Sequence, residues 1–412
     1  MTTASLKTNS LWMLGGQAFR AGVQLLYFVF IARALGSDQY GGFVAVTALV
    51  AIAAPFATWG SGNLLIKHVA RDQETFSTYW GSAIATTLLS ASLLTLAIGL
   101  VAGILLPTGL PLVLVLLVAL SDLLFARLVD VAGQAFQAFN RLDRTAALQL
   151  LPTVLRLIAA VLLLVVAVPK TALVWSALFF VTTVLSAACA LIWVRRDLGW
   201  GPLSLDPVRR EFKESGAFAL SLSAQNIYND IDKIMLARIV SPEAAGVYAA
   251  AYRIVDTAFT PVRSVLYAAY ARFFQLGQRG LGGSITLARR LLPLTGGYSL
   301  LIAALLWVCA PALPLMFGQD FAATADVLRW LAPLVLLKTL HYFAADTLTG
   351  AGYQTTRSLI QVGVAVLNIL LNLWWLPRYG WLGAVWASLI SDALLTAALW
   401  SMVLLQRQQE HA

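Results

Sequence analysis

The chain has 412 residues, of which 60% are apolar and only 11% are charged, and its formal net charge is +9. Soluble globular proteins carry about 25% charged residues, so this composition excludes a soluble enzyme, a disordered chain and a nucleic-acid-binding protein. Apolar stretches of about 20 residues predict membrane spans, and they leave little chain for a domain in water.

Twelve spans follow one another along the chain. The first apolar stretch is long and contains polar residues, so it is interpreted as a span and not as a removable signal. The predicted spans are 10–33, 40–62, 80–106, 111–139, 146–168, 172–194, 215–238, 244–270, 286–310, 322–349, 356–377 and 381–405.

Basic residues set the orientation of these spans, because loops rich in Lys and Arg stay on the cytoplasmic side. With the N-terminus inside, sixteen Lys and Arg residues fall in inner segments and four in outer segments. The sequence therefore predicts that both termini are cytoplasmic.

The longest polar connection divides the chain into two halves of six spans. Residues 1–195 form the predicted N-terminal lobe, 196–214 a cytoplasmic linker and 215–412 the C-terminal lobe. Ala32-Arg33 followed by Ser37 has a counterpart in Ala237-Arg238 followed by Ser241. Halves with an even number of spans insert the same way up, so the repeat is parallel, about an axis along the membrane normal. The predicted fold class is an all-α integral membrane protein with two six-helix lobes.

The other eight Lys and Arg residues, together with eight acidic residues, fall within the predicted spans. Each charge at mid-bilayer costs about 2.5–3.5 kcal/mol on a lenient scale, so most must pair, reach the membrane surface or line water. Arg127 and Asp130 lie on one face of the fourth span. Arg253, Asp256 and Arg263 lie on one face of the eighth. These polar stripes predict a wet interior.

Each stripe also has a structural interpretation, since acid and base three residues apart on a helix often pair for packing alone. Arg20 and Arg156 have no acid on their own spans, so they require a partner from elsewhere, and a bound anion suits a guanidinium. Asp230, Asp232 and Lys233 form either an internal ion cluster or a site for a coupling ion. His341 is interpreted as a packing residue.

Signatures of enzyme chemistry are missing from the sequence. There is no GxxxxGK[ST] phosphate loop and no HExxH motif. The two cysteines, Cys189 and Cys309, are 120 residues apart, which argues against a disulfide framework or a metal site. We therefore expect no catalytic residue, no metal and no cofactor.

Three segments resemble Wzx-type O-antigen and exopolysaccharide flippases, which share the MOP superfamily with MATE multidrug exporters and the lipid II flippase. They are residues 31–41, residues 230–238 with 246–248, and residues 376–384 with the preceding Asn368 and Asn372. The resemblance covers essentially the whole chain. It implies two lobes in a MATE-like V shape, alternating access, and a bacterial cytoplasmic (inner) membrane location. It also implies an undecaprenyl-diphosphate-linked oligosaccharide as cargo, moved from the inner to the outer leaflet with a proton or sodium gradient.

The residues and the resemblance together give a site prediction. Guanidinium groups bind phosphate oxygens in pairs, so the predicted substrate-binding residues are Arg20, Arg127, Arg156, Lys233, Arg253 and Arg263. The predicted ion-coupling residues are Asp130, Asp230, Asp232 and Asp256. The expected partners are membrane lipids and a polysaccharide polymerase or export complex, and a monomer is expected.

Three other functions remain open at this point. A MATE-like multidrug exporter would use an acidic, aromatic cavity for cationic drugs. A membrane sugar transferase or polymerase would need longer outer loops than this chain has. A scaffold in a glycan-export complex would have to tolerate the buried charges without using them.

Overall fold

The computed structural model describes residues 3–278 and 280–411, with side chains described from residue 22 onward except at 213–215, 217–218, 220–222, 224–225, 271 and 410–411. The described residues contain helices and no strand, as the predicted fold class requires. They form two compact units, and the boundary between the units along the sequence lies between Glu243 and Ala244. We call them unit 1 and unit 2.

Unit 1 is built from helices of very different length. They are α1 (Thr3–Thr58), α2 (Ser61–Val69), α3 (Phe76–Leu105), α4 (Leu112–Ala119), α5 (Ala126–Ala138), α6 (Leu142–Val165), α7 (Ala172–Asp197), α8 (Asp206–Arg210) and α9 (Phe212–Ile239). A π-helical segment, Leu120–Phe125, joins α4 to α5 without a break.

Unit 2 continues with seven helices. They are α10 (Pro242–Gly277), α11 (Leu281–Cys309), α12 (Leu313–Phe317), α13 (Thr324–Leu331), α14 (Leu334–Gly350), α15 (Gln354–Tyr379) and α16 (Trp381–His411). The predicted second lobe begins at residue 215, whereas α9 packs on α1 in unit 1. The division into lobes stays a prediction.

Eight stretches of the described residues are long and apolar enough to cross a membrane. They are Gly22–Thr58, Gln73–Leu105, Leu112–Ala138, Leu142–Val165, Ala172–Asp197, Leu281–Phe317, Gln354–Tyr379 and Trp381–Gln409. Predicted span 7 overlaps α9, span 8 overlaps α10, and span 10 overlaps α13 and α14 together. A total of twelve spans is consistent with this pattern and stays a prediction.

Glycine and proline shape the first two spans. Gly36 has φ 73° and interrupts α1 between predicted spans 1 and 2, in the left-handed region that glycine adopts without a steric penalty. Pro55 lies inside α1 and cannot donate to the carbonyl of Ala51. Asn226 Nδ2 on α9 donates to that carbonyl oxygen at 2.7 Å, so α9 satisfies the backbone group that proline releases.

Burial separates a packed interior from a lipid-facing surface. Trp80 and Phe136 are fully buried in the core of unit 1, and Phe273 and Phe343 are fully buried in the core of unit 2. By contrast Leu100 on α3 is 83% exposed. Large apolar side chains exposed along a long helix indicate a surface that contacts lipid and not water.

Candidate functional site

Three clusters of side chains on the long helices contain the predicted site residues that are described from unit 1 and unit 2. The first lies on the π-segment and on α5, α6 and α7, the second on α9, and the third on α10, α14 and α16. The first two belong to unit 1 and the third to unit 2.

Arg156 on α6 is the centre of the first cluster. Its Nη2 lies 3.6 Å from Asp122 Oδ1 and donates to Thr183 Oγ1 at 3.3 Å. Its guanidinium carbon lies 4.0 Å from the ring centre of Phe179. Arg156 therefore pairs with Asp122, a carboxylate from another span, in the place where the sequence suggested a bound anion.

The π-segment places Asp122 near Arg127. Positions five apart on an α-helix point about 140° away from each other, and a wider π-turn brings them closer to one face. Arg127 Nε donates to the Asp122 carbonyl oxygen at 3.2 Å, and Arg127 Nη1 lies 3.0 Å from Asp130 Oδ2. Arg127 and Asp130 are both partly exposed, so their pairing leaves both accessible.

The second cluster holds the charges of α9. Lys233 Nζ pairs with the Asp230 carboxylate and also donates to the Asn229 carbonyl oxygen at 3.0 Å. Asp232 is buried, and its Oδ1 accepts the backbone N–H of Lys233 at 2.8 Å. An ion pair is therefore present on α9, where the sequence leaves open an internal ion cluster or a coupling-ion site, and a role in ion coupling stays a prediction.

The third cluster places two cations on one carboxylate. Lys338 Nζ donates to Asp256 Oδ1 at 2.8 Å, and Arg263 Nη2 lies 3.9 Å from the same oxygen. The Lys338 side chain is 5% exposed and that of Arg263 is 55% exposed. Lys338 also lies over the ring of Tyr252, with its Nζ 4.4 Å from the ring centre. The inner cation is thus firmly bound, while the outer one is accessible.

A histidine and an aspartate form a buried pair beside this carboxylate. His341 Nε2 on α14 lies 3.0 Å from Asp392 Oδ1 on α16, and their side chains are 5% and 3% exposed. Sequence reasoning interpreted His341 as a packing residue and gave Asp392 no role. The available signal was the spacing of Lys338 and His341, which places both on one face of α14.

The amides of the eleventh span are fastened within unit 2. Asn368 Nδ2 donates to Ser391 Oγ at 3.1 Å, and Asn372 Nδ2 donates to Asn368 Oδ1 at 3.0 Å. Both asparagines are buried. They join α15 to α16 and are not exposed to a cargo.

The remaining predicted residues have simple outcomes. Arg20 lies outside the residues whose side chains the structure describes. Arg253 is half-buried on α10, one turn before Asp256. Within the described residues no group of three or more His, Cys, Asp or Glu side chains could hold a metal ion. The assignment of binding and coupling roles stays a prediction.

One charged cluster lies outside the predicted spans, just before α9. Glu211 is contacted by Lys67 Nζ at 3.1 Å, by His68 Nε2 at 2.8 Å and by the Tyr79 hydroxyl at 3.3 Å. Partial burial raises the pKa of Glu211, but the hydrogen bonds and charges of Lys67 and His68 outweigh it and hold the pKa below its usual value. This cluster fastens the start of α9 to α2.

The fold is that of a MATE-type membrane transporter. An inward-facing multidrug resistance MATE transporter of the MOP superfamily aligns with a TM-score of 0.75 and 14% identity, over 93% of this chain and 96% of that one. Lipid II flippase MurJ in an inward closed conformation aligns with a TM-score of 0.72 and 13% identity, over 95% and 87%.

Family models give the more specific result. The model of the polysaccharide biosynthesis protein family matches residues 6–276, and the MatE model matches residues 217–374. The chain belongs to the polysaccharide biosynthesis protein family, which confirms the resemblance noted in the sequence. A probable low-salt glycan biosynthesis flippase, Agl15 of Haloferax volcanii, is 23% identical over 407 residues, 95% of this chain and 82% of its own length.

Proposed function

We propose that this protein is a flippase for a lipid-linked glycan. Its cargo is an undecaprenyl-diphosphate-linked oligosaccharide, which it moves from the inner to the outer leaflet of the cytoplasmic membrane by alternating access. The family, the archaeal relative described as a glycan biosynthesis flippase and the lipid II flippase fold all support this class of transporter over an enzyme.

The observation that carries the cargo assignment is the sharing of Asp256 by two cations. One carboxylate cannot neutralise both Lys338 and Arg263, so these three side chains together carry one net positive charge. Planar guanidinium groups bind phosphate oxygens bidentately. An exposed arginine held loosely at 3.9 Å can turn to a diphosphate without breaking a tight ion pair.

We assign different proposed roles to the six predicted cations. Arg263 is the proposed direct contact with the diphosphate in unit 2, and the partly exposed Arg127 stays a predicted binding residue of unit 1. Arg156 and Lys233 pair with carboxylates and are less exposed than Arg127 and Arg263, so their proposed contribution is to the electrostatic potential that attracts the cargo. Arg20 and Arg253 are proposed as further contacts on α1 and α10.

Ion-gradient coupling is proposed for the acidic residues of the same clusters. Asp130, Asp230 and Asp256 each pair with a cation, and Asp232 accepts the backbone N–H of Lys233. Binding a proton or a sodium ion at such a carboxylate would release the cation beside it. The coupling ion therefore acts on the same side chains that hold the cargo.

Leaflet exposure in proteoliposomes tests this proposal. Vesicles carrying a fluorescent undecaprenyl-diphosphate oligosaccharide would be treated with an impermeant quencher, with protein-free vesicles as the background. We expect the wild type to expose cargo well above that background and Arg263→Gln to lose most of this activity. Arg378→Gln is the matched control, because Arg378 is exposed and donates to the Trp374 carbonyl oxygen.

The outcomes separate the two transporter classes. Exposure by the wild type and by Arg378→Gln, but not by Arg263→Gln, supports both the activity and the binding residue. Equal exposure by all three proteins removes Arg263 from the site. No exposure by the wild type contradicts the flippase, and accumulation of a cationic dye in the same vesicles would indicate a drug exporter.

A further inference from the structure

The buried His341–Asp392 pair has no role in the function proposed so far. It joins α14 to α16, with His341 Nε2 3.0 Å from Asp392 Oδ1. Neither imidazole nitrogen makes a hydrogen bond of good geometry within the described part of the chain. Two ionisable side chains so deeply buried are expensive to retain for packing alone.

Neighbouring contacts hold the two helices at this distance. Asp392, Thr396 and Trp400 lie four residues apart on one face of α16. Thr396 Oγ1 lies 3.4 Å from the Leu337 carbonyl oxygen, and Trp400 Nε1 donates to the Leu340 carbonyl oxygen at 3.1 Å. The pairing of His341 with Asp392 is therefore part of a built interface and not a chance approach of two side chains.

Burial favours the state of the pair that holds one proton, unless Lys338 faces the ionised Asp392. An ionised carboxylate removed from water is strongly unfavourable unless a cation faces it. The proton resides either on Asp392, beside a neutral imidazole, or on His341, beside a carboxylate. An imidazole nitrogen and a carboxylate oxygen 3.0 Å apart can share one proton between them, so the pair forms a site that can bind one.

The nearest charges connect this proton to the cations of the third cluster. Lys338 lies one turn before His341 on α14 and interacts electrostatically with both Asp256 and Asp392. On α10, Asp256 faces Lys338, and Arg263 lies beyond it. Tyr252 completes the surroundings of Lys338.

The other helices packed on α14 add little charge. The ring of Tyr342 stacks on His341 at 4.7 Å. On α11 the Tyr298 hydroxyl donates to the Ala258 carbonyl oxygen at 2.9 Å. On α15 the charged residue near this region is Arg357, which lies 3.9 Å from Asp346 further along α14.

We infer that the His341–Asp392 pair is a proton-binding site that controls the affinity of Arg263 for the anionic cargo. This inference rests on the proposed function. With the proton bound, imidazolium neutralises Asp392, Lys338 stays on Asp256, and Arg263 turns to the diphosphate. Without it, Asp392 attracts Lys338, and Asp256 binds Arg263 instead.

The linkage is reciprocal and has a definite sign. If proton binding strengthens cargo binding, cargo binding must strengthen proton binding by the same free energy. Cargo binding is therefore accompanied by proton uptake. One linked proton weakens binding by at most about tenfold per unit rise in pH.

Calorimetry on the full-length protein in nanodiscs tests the inference. The probe is undecaprenyl-diphosphate-linked N-acetylglucosamine, whose phosphates are both esterified and do not titrate near neutral pH. Titrations in buffers of different ionisation enthalpy give the number of protons taken up with each lipid. We expect wild type to take up close to one, and His341→Gln and Asp392→Asn to take up almost none while still binding.

The control and the outcomes keep the inference separate from the function. His68→Gln makes the same change at a histidine outside this site and should keep wild-type proton uptake. Lipid binding by wild type without proton uptake, or unchanged uptake in His341→Gln, would overturn the proton site and leave the flippase intact. Absence of lipid binding by the wild type would overturn both the proton site and the proposed flippase function. Binding itself is detected by the heat of binding and does not depend on the number of protons taken up. A variant that misfolds is identified by its melting profile, and the wild-type proton number still decides.

Discussion

At the scale of single residues, the two sides of the Lys338–Asp256 pair are not equivalent. Lys338 is almost completely buried, whereas Asp256 is about one third exposed and also lies near Arg263. Removal of one partner is costly when the charge left behind is buried. The aspartate is therefore the side whose loss should matter more for folding.

Asp256→Asn is expected to destabilise the protein by about 2–4 kcal/mol, because it removes the carboxylate that accepts the hydrogen bond of the buried Lys338 ammonium. Lys338→Met should lower the free energy of unfolding by clearly less, since Asp256 still interacts with Arg263 and with water. Thermal unfolding of both variants in one detergent checks the order. A larger loss of stability for Lys338→Met would contradict this account of the cluster.

Glu211 gives a prediction about pH. Its pKa is held below the ordinary value of 4.5 in the folded protein. The stabilisation it provides is therefore present above pH 4.5 and lost as the pH falls through the lowered folded-state pKa. Glu211 should contribute on the order of 1 kcal/mol or less to the free energy of unfolding, because its contacts with Lys67 and His68 are partly exposed to water.

Thermal midpoints measured at pH values above and below this window check the Glu211 prediction. Glu211→Gln should remove part of the loss of stability in acid, and Glu243→Gln, at an exposed position, should leave it unchanged. If Glu211→Gln loses as much stability in acid as the wild type does, that loss is due to other carboxylates.

Sequence reasoning could reach individual charged residues but not their partners. It placed Arg127 with Asp130 because both lie on one helix. Asp122 with Arg156, and His341 with Asp392, are contacts between different helices. Helical periodicity gives the face of each residue and says nothing about which neighbouring helix that face meets.

At the scale of elements, close backbone contact fixes the ends of α10 and α14. A Cβ at Gly350 would lie 2.5 Å from the Phe273 carbonyl oxygen, and a Cβ at Gly277 would lie 2.2 Å from the Gly350 carbonyl oxygen. These distances are too short for any side chain, and backbone atoms cannot turn aside as a flexible side chain can. Both positions therefore require glycine.

Gly350→Ala is expected to destabilise unit 2 by about 1–3 kcal/mol through overpacking. Gly363→Ala is the matched control on α15, where a Cβ would meet nothing within 4 Å. There alanine should be neutral or stabilise by up to about 1 kcal/mol, because it favours helix more than glycine does. Equal melting temperatures for the two variants would contradict the close approach.

Span boundaries could be predicted well where local chemistry determines them. Gly36 separates the first two spans, and its counterpart between α9 and α10 is the short connection before Pro242. Proline at the first position of α10 favours the start of a helix, because its ring fixes φ near the helical value. The π-segment at Leu120–Phe125 could not be predicted, because its apolar residues suit an α-helix equally well.

At the scale of the whole molecule, composition alone predicted an all-helical membrane protein, and the MATE-type fold confirms it. The family model covers residues 6–276, which is nearly all of unit 1 and the first 33 residues of unit 2. Fold does not fix cargo, since similar folds serve drug exporters and a lipid flippase. The charge of the side chains has to decide between them.

Comparison of cargo charge in wild-type proteoliposomes tests the central claim most directly. The same glycan would be presented on undecaprenyl diphosphate, on undecaprenyl monophosphate and on a neutral polyprenyl ether, with a cationic dye in parallel vesicles. The account predicts the fastest leaflet exposure for the diphosphate, slower exposure for the monophosphate, and background levels for the neutral lipid and the dye. Equal exposure of all three lipids, or transport of the dye alone, would contradict it.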